Sequence, residues 1–259
     1  MTQQTMGPNR PHVDAVRILA ASACIVGVAA GVAFTLAPDL DLVVARQFQM
    51  ESGDFAGAHS GAILFLRATF KTIFIASCGT AAAGLLLVVL SRSRHWRTRA
   101  VHWLYLVVCL GVGPGLVTNT LLKDHWGRAR PAQIVEFGGT KTFTPPLLPT
   151  HQCARNCSFV SGEAASMFAI LYAVALVVPH WSVPTLIAGT IVGLAAGLVR
   201  VAQGGHFLSD VVFVGVFMAL VAAGLHRVMF GRARIGEAPA LQGAAPVNAA
   251  GSIFTWRQR

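Results

Sequence analysis

Six apolar stretches separated by polar segments set the pattern of this chain. They cover residues 16–37, 73–90, 101–122, 161–178, 185–199 and 207–225. A helix needs about 20 apolar residues to cross a hydrocarbon layer roughly 30 Å thick. The pattern therefore predicts an all-α, polytopic membrane protein with six transmembrane helices over residues 14–230. The fifth stretch is short and is expected to continue past Arg200 as a tilted or partly shielded helix. The first stretch could pass for a signal peptide, but its length and the acidic, Pro-containing sequence after it predict a retained helix. Residues 40–72 are expected on the surface with a helix lying in the interface, because FLRATFK mixes apolar and basic positions. Residues 1–13, polar with two prolines, are expected to be flexible, and the Ala/Gly/Pro-rich tail at 235–259 to be disordered. GVGPG at 111–115 lies inside the third stretch, so Pro114 predicts a kinked helix and not a nucleotide loop.

Composition agrees with the pattern. The chain is 54% hydrophobic and 12% charged, where a soluble domain has about 25% charged residues. A net charge of +10 would suggest nucleic acid in a soluble chain. Here the Lys and Arg residues gather beside the spans, and no nucleic-acid partner is expected. Arg10 and Arg17, the cluster SRSRHWRTR at 91–99 and the arginines from Arg227 onward make up 11 of the 20 Lys and Arg. This bias predicts both termini in the cytoplasm.

Three short segments carry the chemistry. Lys123, Arg130 and Pro131 read Lys-x6-Arg-Pro, Ser161 and Gly162 open the fourth stretch, and Arg200, His206 and Asp210 read Arg-x5-His-x3-Asp. In a six-span bundle all three segments fall on one face of the membrane. Each cation alone would read as a snorkelling span end; together they suit a phosphate, with the Arg forks binding its oxygens in pairs. Ser161 and Gly162 precede an apolar helix whose free N–H groups favour an anion. If the last helix begins at His206, His206 and Asp210 share one face. An Asp that accepts from one ring nitrogen leaves the other free to attack phosphorus. Cys24, Cys78 and Cys109 lie in apolar runs and read as core residues. Cys153 and Cys157 lie in a polar loop and can pair if that loop is outside the cytoplasm. No His/Cys grouping has zinc spacing.

On these motifs the chain resembles the type 2 phosphatidic acid phosphatase superfamily over roughly residues 14–230. The resemblance implies a six-helix lipid phosphatase needing neither metal nor cofactor. It implies that His206 is the nucleophile, forming a phosphohistidine, and Asp210 its partner. Lys123, Arg130, Ser161, Gly162 and Arg200 would bind the phosphate. Val160 and Val199 depart from the family pattern, and Glu163 departs further, standing where a His protonates the leaving group. Neighbouring cations favour its ionised form, which would repel a phosphate by roughly 4 kcal/mol at 4 Å and an effective dielectric of 20. Glu163 is expected as the acid/base group; the alternative pairs it with a cation or a substrate hydroxyl, and has His125 or His151 supply the proton.

Within the superfamily, the segment from RARP to CSFVSGE looks most like bacterial lipid A phosphatases acting at the 4′ position. That resemblance implies a lipid A monoester as substrate at the periplasmic face of the inner membrane. Undecaprenyl pyrophosphate, phosphatidylglycerol phosphate and lipid phosphotransfer are the alternatives in the same class. A catalytically weak lipid-binding protein is the alternative outside it. A transporter would carry its charges near the bilayer centre. The sequence does not reveal the oligomeric state.

Overall fold

The computed structural model describes residues 10–91 and 94–231. Helix α1 runs Arg10–Leu36, α2 Leu40–Arg46, α3 Gly61–Leu90 and α4 Arg94–Leu110. A π-helical stretch, Gly111–Leu122, continues α4 into the short α5, Lys123–His125. The remaining helices are α6 (Gly162–Val177), α7 (Ser182–Ala202) and α8 (Leu208–Gly231). Helix α1 thus begins inside the 1–13 segment; residues 1–9 and the expected tail at 235–259 lie outside the described residues.

Five helical segments are long and apolar enough to cross a membrane: Ala15–Leu36, Gly61–Leu90, Arg99–His125, Pro179–Ala202 and Leu208–Gly231. Their outer surface is apolar, with Ile25, Val28 and Leu87 among the exposed side chains, as a hydrocarbon solvent requires. The sixth apolar helix, α6, has only 16 residues, or about 24 Å. It is the centre of the bundle, packed by α7 and α8 and touched by α3, α4 and the π stretch. Its Ala-rich surface is buried at Ala164, Ala165, Ala169, Ala173 and Ala175. Small residues let neighbouring backbones approach. A Cβ on Gly193 of α7 would lie 2.4 Å from the Phe168 ring of α6.

Several boundaries differ from the sequence reading for physical reasons. The FLRATFK segment is part of α3 and not of an interfacial helix; Arg67 and Lys71 face a cleft and so interrupt the apolar count without ending the helix. The short helix before it is α2, whose Asp41 and Ala45 are buried. Pro114, which has no N–H to donate, stands in the π stretch, where the expected kink takes the form of a wider helix. Helix α7 passes Arg200, as expected, and ends at Ala202. Helix α8 begins at Leu208, so His206 precedes it. Of the three free cysteines only Cys109 is buried; Cys24 is exposed on α1 and Cys78 is partly exposed.

The loop after α5 is folded into a cap. Ile134, Phe137 and Ala129 pack with Ala45, Phe55 and Phe207 in a small core of their own. The Ala132 N–H donates to the Gly204 carbonyl at 3.1 Å, and the Gly57 N–H to the Ala202 carbonyl at 2.9 Å. The cap therefore holds the His206 segment from above while α7 and α8 hold it from below. Cys153 and Cys157 are joined by a disulfide, and the Cys157 N–H donates to the Lys123 carbonyl at 3.0 Å.

Candidate active site

His206 sits in the turn between α7 and α8 and is fully buried. Its Nδ1 lies 2.5 Å from the Ser158 carbonyl oxygen. A carbonyl only accepts, so Nδ1 carries the ring proton and Nε2 keeps its lone pair. Nε2 is buried without a hydrogen-bond partner. Burial pushes the imidazole down to about 4, helped by Lys123 and Arg200 and opposed by Asp210. The ring is therefore neutral at neutral pH. Two glycines shape this turn: Gly204 has φ +63, which favours glycine, and a Cβ on Gly205 would lie 2.6 Å from Arg200 Nη2.

Asp210 stands in the first turn of α8, but its link to His206 is not the helical pairing expected. Its Oδ2 is 3.7 Å from His206 Nδ1, beyond hydrogen-bond range. That oxygen accepts from Ser158 Oγ at 2.5 Å and from the Phe207 N–H at 2.9 Å. Asp210 thus fixes the two residues that fix the ring, and places its charge beside it. Its other oxygen, Oδ1, accepts from Arg128 Nη1 at 2.6 Å.

Arg128 and Asp41 were not among the expected site residues, and both are fully buried. Arg128 also donates to Ser209 Oγ at 2.9 Å, to Asp41 Oδ2 at 2.8 Å and, through Nε, to the Thr144 carbonyl at 2.9 Å. Its guanidinium lies 4.2 Å from the centre of the Phe207 ring. Asp41 Oδ1 accepts from the Ser209 N–H at 2.8 Å, so an acid from α2 satisfies the start of α8. The sequence signal for Arg128 was its place two residues before Arg130 inside the Lys-x6-Arg-Pro run. Asp41 gave no comparable signal.

The three motif cations come together at the start of α6, where Lys123 feels the charge of both Arg130 and Arg200 and lies against Gly162. Lys123 and Arg200 are buried to 9% and 5% exposure and both act on the imidazole. Arg130 is half-buried and donates through Nη2 to the Asn156 carbonyl at 2.7 Å. Arg200 donates to Gln203 through Nη1, while its Nε makes no hydrogen bond. Ser161 is the N-cap of α6, and its Oγ is buried and unpartnered too. A Cβ on Gly162 would be 3.0 Å from Lys123 Nζ, so glycine lets the amine approach the helix start. Glu163 Oε1 accepts from Arg67 Nε at 3.1 Å and lies 3.4 Å from Arg200 Nε. Arg67 is a cation from α3 outside the three motifs. Among the described residues neither alternative proton donor has a hydrogen bond or ion pair to this group; His125 contacts the carbonyls of Thr120 and Leu121.

A buried imidazole with one ring nitrogen free, close to the buried cations Lys123 and Arg200, is a group that can react with a phosphate. Set in a bundle of apolar helices, it defines a membrane-embedded lipid phosphatase. The chain belongs to the PAP2 superfamily, whose pattern matches residues 102–234 and so includes every motif residue named above. It is 36% identical over 202 residues to a lipid A 4′-phosphatase of Francisella tularensis subsp. novicida (strain U112), covering 76% of this chain and 89% of that protein. It is 41% identical over 119 residues to a lipid A 4′-phosphatase of Rhizobium etli, covering 43% of this chain and 45% of that one. A lipid A 4′-phosphatase of Rhizobium leguminosarum is 41% identical over 128 residues, 45% of this chain and 54% of that protein. No solved structure matches the chain.

Proposed function

We propose that this phosphatase hydrolyses a phosphate monoester of lipid A at the periplasmic face of a bacterial inner membrane, through a phosphohistidine on His206. The carrying observation is the free, buried Nε2 of His206 with Nδ1 engaged by the Ser158 carbonyl. The name borne by the Francisella relative, and the share of both chains it covers, support the substrate. The excess of Lys and Arg near the termini and at 91–99 supports a cytoplasmic placement of both ends, with the site on the opposite face.

The phosphate enters between Lys123, Arg130 and Arg200, with Ser161 Oγ and the start of α6 as further donors. His206 Nε2 attacks phosphorus; the P–N bond forms as the bond to the lipid oxygen breaks. The Asp210 carboxylate stabilises the positive ring that results. Bound phosphate competes with Glu163 for Arg200, which leaves the carboxyl able to hold a proton. Glu163 gives that proton to the departing lipid oxygen and regains one from the water that attacks the phosphohistidine. That second attack breaks the P–N bond and frees inorganic phosphate.

The purified protein, in detergent with a chelator, is expected to release phosphate from lipid A faster than from undecaprenyl pyrophosphate, phosphatidylglycerol phosphate or phosphatidic acid. If His206→Ala releases it as fast as wild type, the nucleophile assignment is wrong.

A further inference from the structure

A cleft of about 530 Å³ opens beside the phosphate site. Lys123, Gly162 and Glu163 form one wall, so the cleft is continuous with the reaction centre. The facing wall is α3, through Leu64, Arg67, Ala68 and Lys71. Those four positions fall at i, i+3, i+4 and i+7, a single helical face. Phe70 and Phe74 line the same cleft.

The charge in this cleft exceeds what the scissile phosphate requires. Lys123 belongs to the phosphate site, and Glu163 is the only acid in the lining. Glu163 is already held by Arg67 and Arg200. Lys71 stands one turn beyond Arg67, roughly 6 Å along the helix. It is exposed and makes no ion pair among the described residues. Depth matters as well. Helix α3 has 30 residues, or about 45 Å against a hydrocarbon layer of roughly 30 Å. Counting about 20 residues back from Leu90 puts the hydrocarbon boundary near Lys71. Arg67 and Lys71 then lie at headgroup level, with Phe74 below them in the acyl region.

We propose that this cleft is a subsite for a second anionic group on the same lipid that carries the scissile phosphate, with Lys71 and Arg67 as its ligands. The proposal rests on the phosphatase reading above. A lipid with one phosphate leaves Lys71 facing no charge. A second phosphoryl or carboxylate group on the headgroup gives it a charge-assisted partner. The same group draws Arg67 towards it and loosens the Arg67–Glu163 pair next to the reacting phosphate. The rings of Phe70 and Phe74 receive the adjoining acyl chain.

The test uses the full-length protein in mixed micelles with three substrates: lipid A bearing a phosphate on both sugars, the same lipid lacking the phosphate that is not cleaved, and that second lipid with phosphatidylglycerol added. The expected KM is about tenfold lower for the bisphosphate, the scale of a hydrogen bond to a charged group. Lys71→Gln, which keeps Arg67, should raise KM for the bisphosphate most of the way towards the monophosphate value, with kcat within about twofold, because Lys71 itself touches neither the scissile phosphate nor Glu163. Equal KM values in wild type overturn the subsite. So does a Lys71→Gln effect of the same size on both lipids, which marks general attraction to anions. A low monophosphate KM restored by phosphatidylglycerol assigns the cleft to a neighbouring lipid and also overturns it. Equilibrium binding of both lipids to the wild type separates the two levels. A bisphosphate preference lost in Lys71→Gln, without phosphate release from any lipid, keeps the subsite and sinks the phosphatase reading.

Discussion

Arg128 holds Asp210 at 2.6 Å by Oδ1, the carboxylate oxygen opposite the one nearest His206. The guanidinium bridges this acid to Asp41 with both side chains fully buried. A carboxylate restrained on both sides cannot rotate, so Ser158 and, through it, the imidazole are fixed as well. Arg128 is thus a positioning residue for His206.

Removing one partner of a buried ion network leaves charge uncompensated, at a cost of about 3–5 kcal/mol. Arg128→Ala is expected to lower the melting temperature sharply and to abolish phosphate release. Adding Asp41→Asn to that variant should recover part of the stability, because one stranded charge is gone, while activity stays lost. Thermal denaturation and phosphate release read the two effects separately.

The state of His206 sets an acid limit. Burial holds its ring at about 4, and only the neutral ring has a lone pair on Nε2. The free-enzyme profile of kcat/KM should therefore fall as pH drops through about 4, with no change from His206 near neutrality. Stability follows the same sign. In the unfolded chain the ring titrates near 6.5, so between about 6.5 and about 4 the unfolded state binds the extra proton. Melting temperature should decline over that window as pH falls and flatten below it on this group's account. Loss of activity already at pH 6 in a folded sample would contradict a buried neutral ring.

Ser161 offers a separation of function from stability. Its Oγ is buried with no partner, so Ser161→Ala breaks no hydrogen bond of the resting protein. The melting temperature should hold. Phosphate binding should weaken by about tenfold, the scale of one hydrogen bond to a charged group. Inhibition by inorganic phosphate measures it directly.

Glu163 is tested by comparing Glu163→Gln with Glu163→His. The amide cannot carry a proton, so Glu163→Gln should lower kcat by about 10²-fold or more, the range of general acid–base catalysis. It should also bind inorganic phosphate more tightly, since Arg67 and Arg200 lose their competing carboxylate. Glu163→His should restore much of kcat with a limb near the ordinary His value of about 6.5. Identical pH–rate profiles in both variants would remove Glu163 from proton transfer.

The sequence patterns recover the helical bundle well because apolar stretches are local signals. Lys123, Arg130, Ser161, Gly162 and Arg200 were legible for the same reason, each marked by short spacing and by its place at a span end. The unread parts depend on pairings across the fold. Asp41 meets Arg128 across 87 positions. Arg67 meets Glu163 across 96, and its charge had hidden the first turns of α3. The partner of His206 Nδ1 is a main-chain carbonyl at Ser158, and a backbone atom leaves no mark in composition. The start of α8 at Leu208 turned an expected helical pair into a turn held by Asp210 through Ser158.

The buried trio of Asp41, Arg128 and Asp210 has a consequence for biogenesis. Asp41 follows the first apolar helix, Arg128 the third, and Asp210 opens the last. The three can meet only when the segments that carry them emerge on the same side of the bundle. A chain that skipped one crossing would part Arg128 from one of its two acids and leave that acid without its counter-charge. The lock is a check on threading, and the imidazole of His206 is oriented by the same closure.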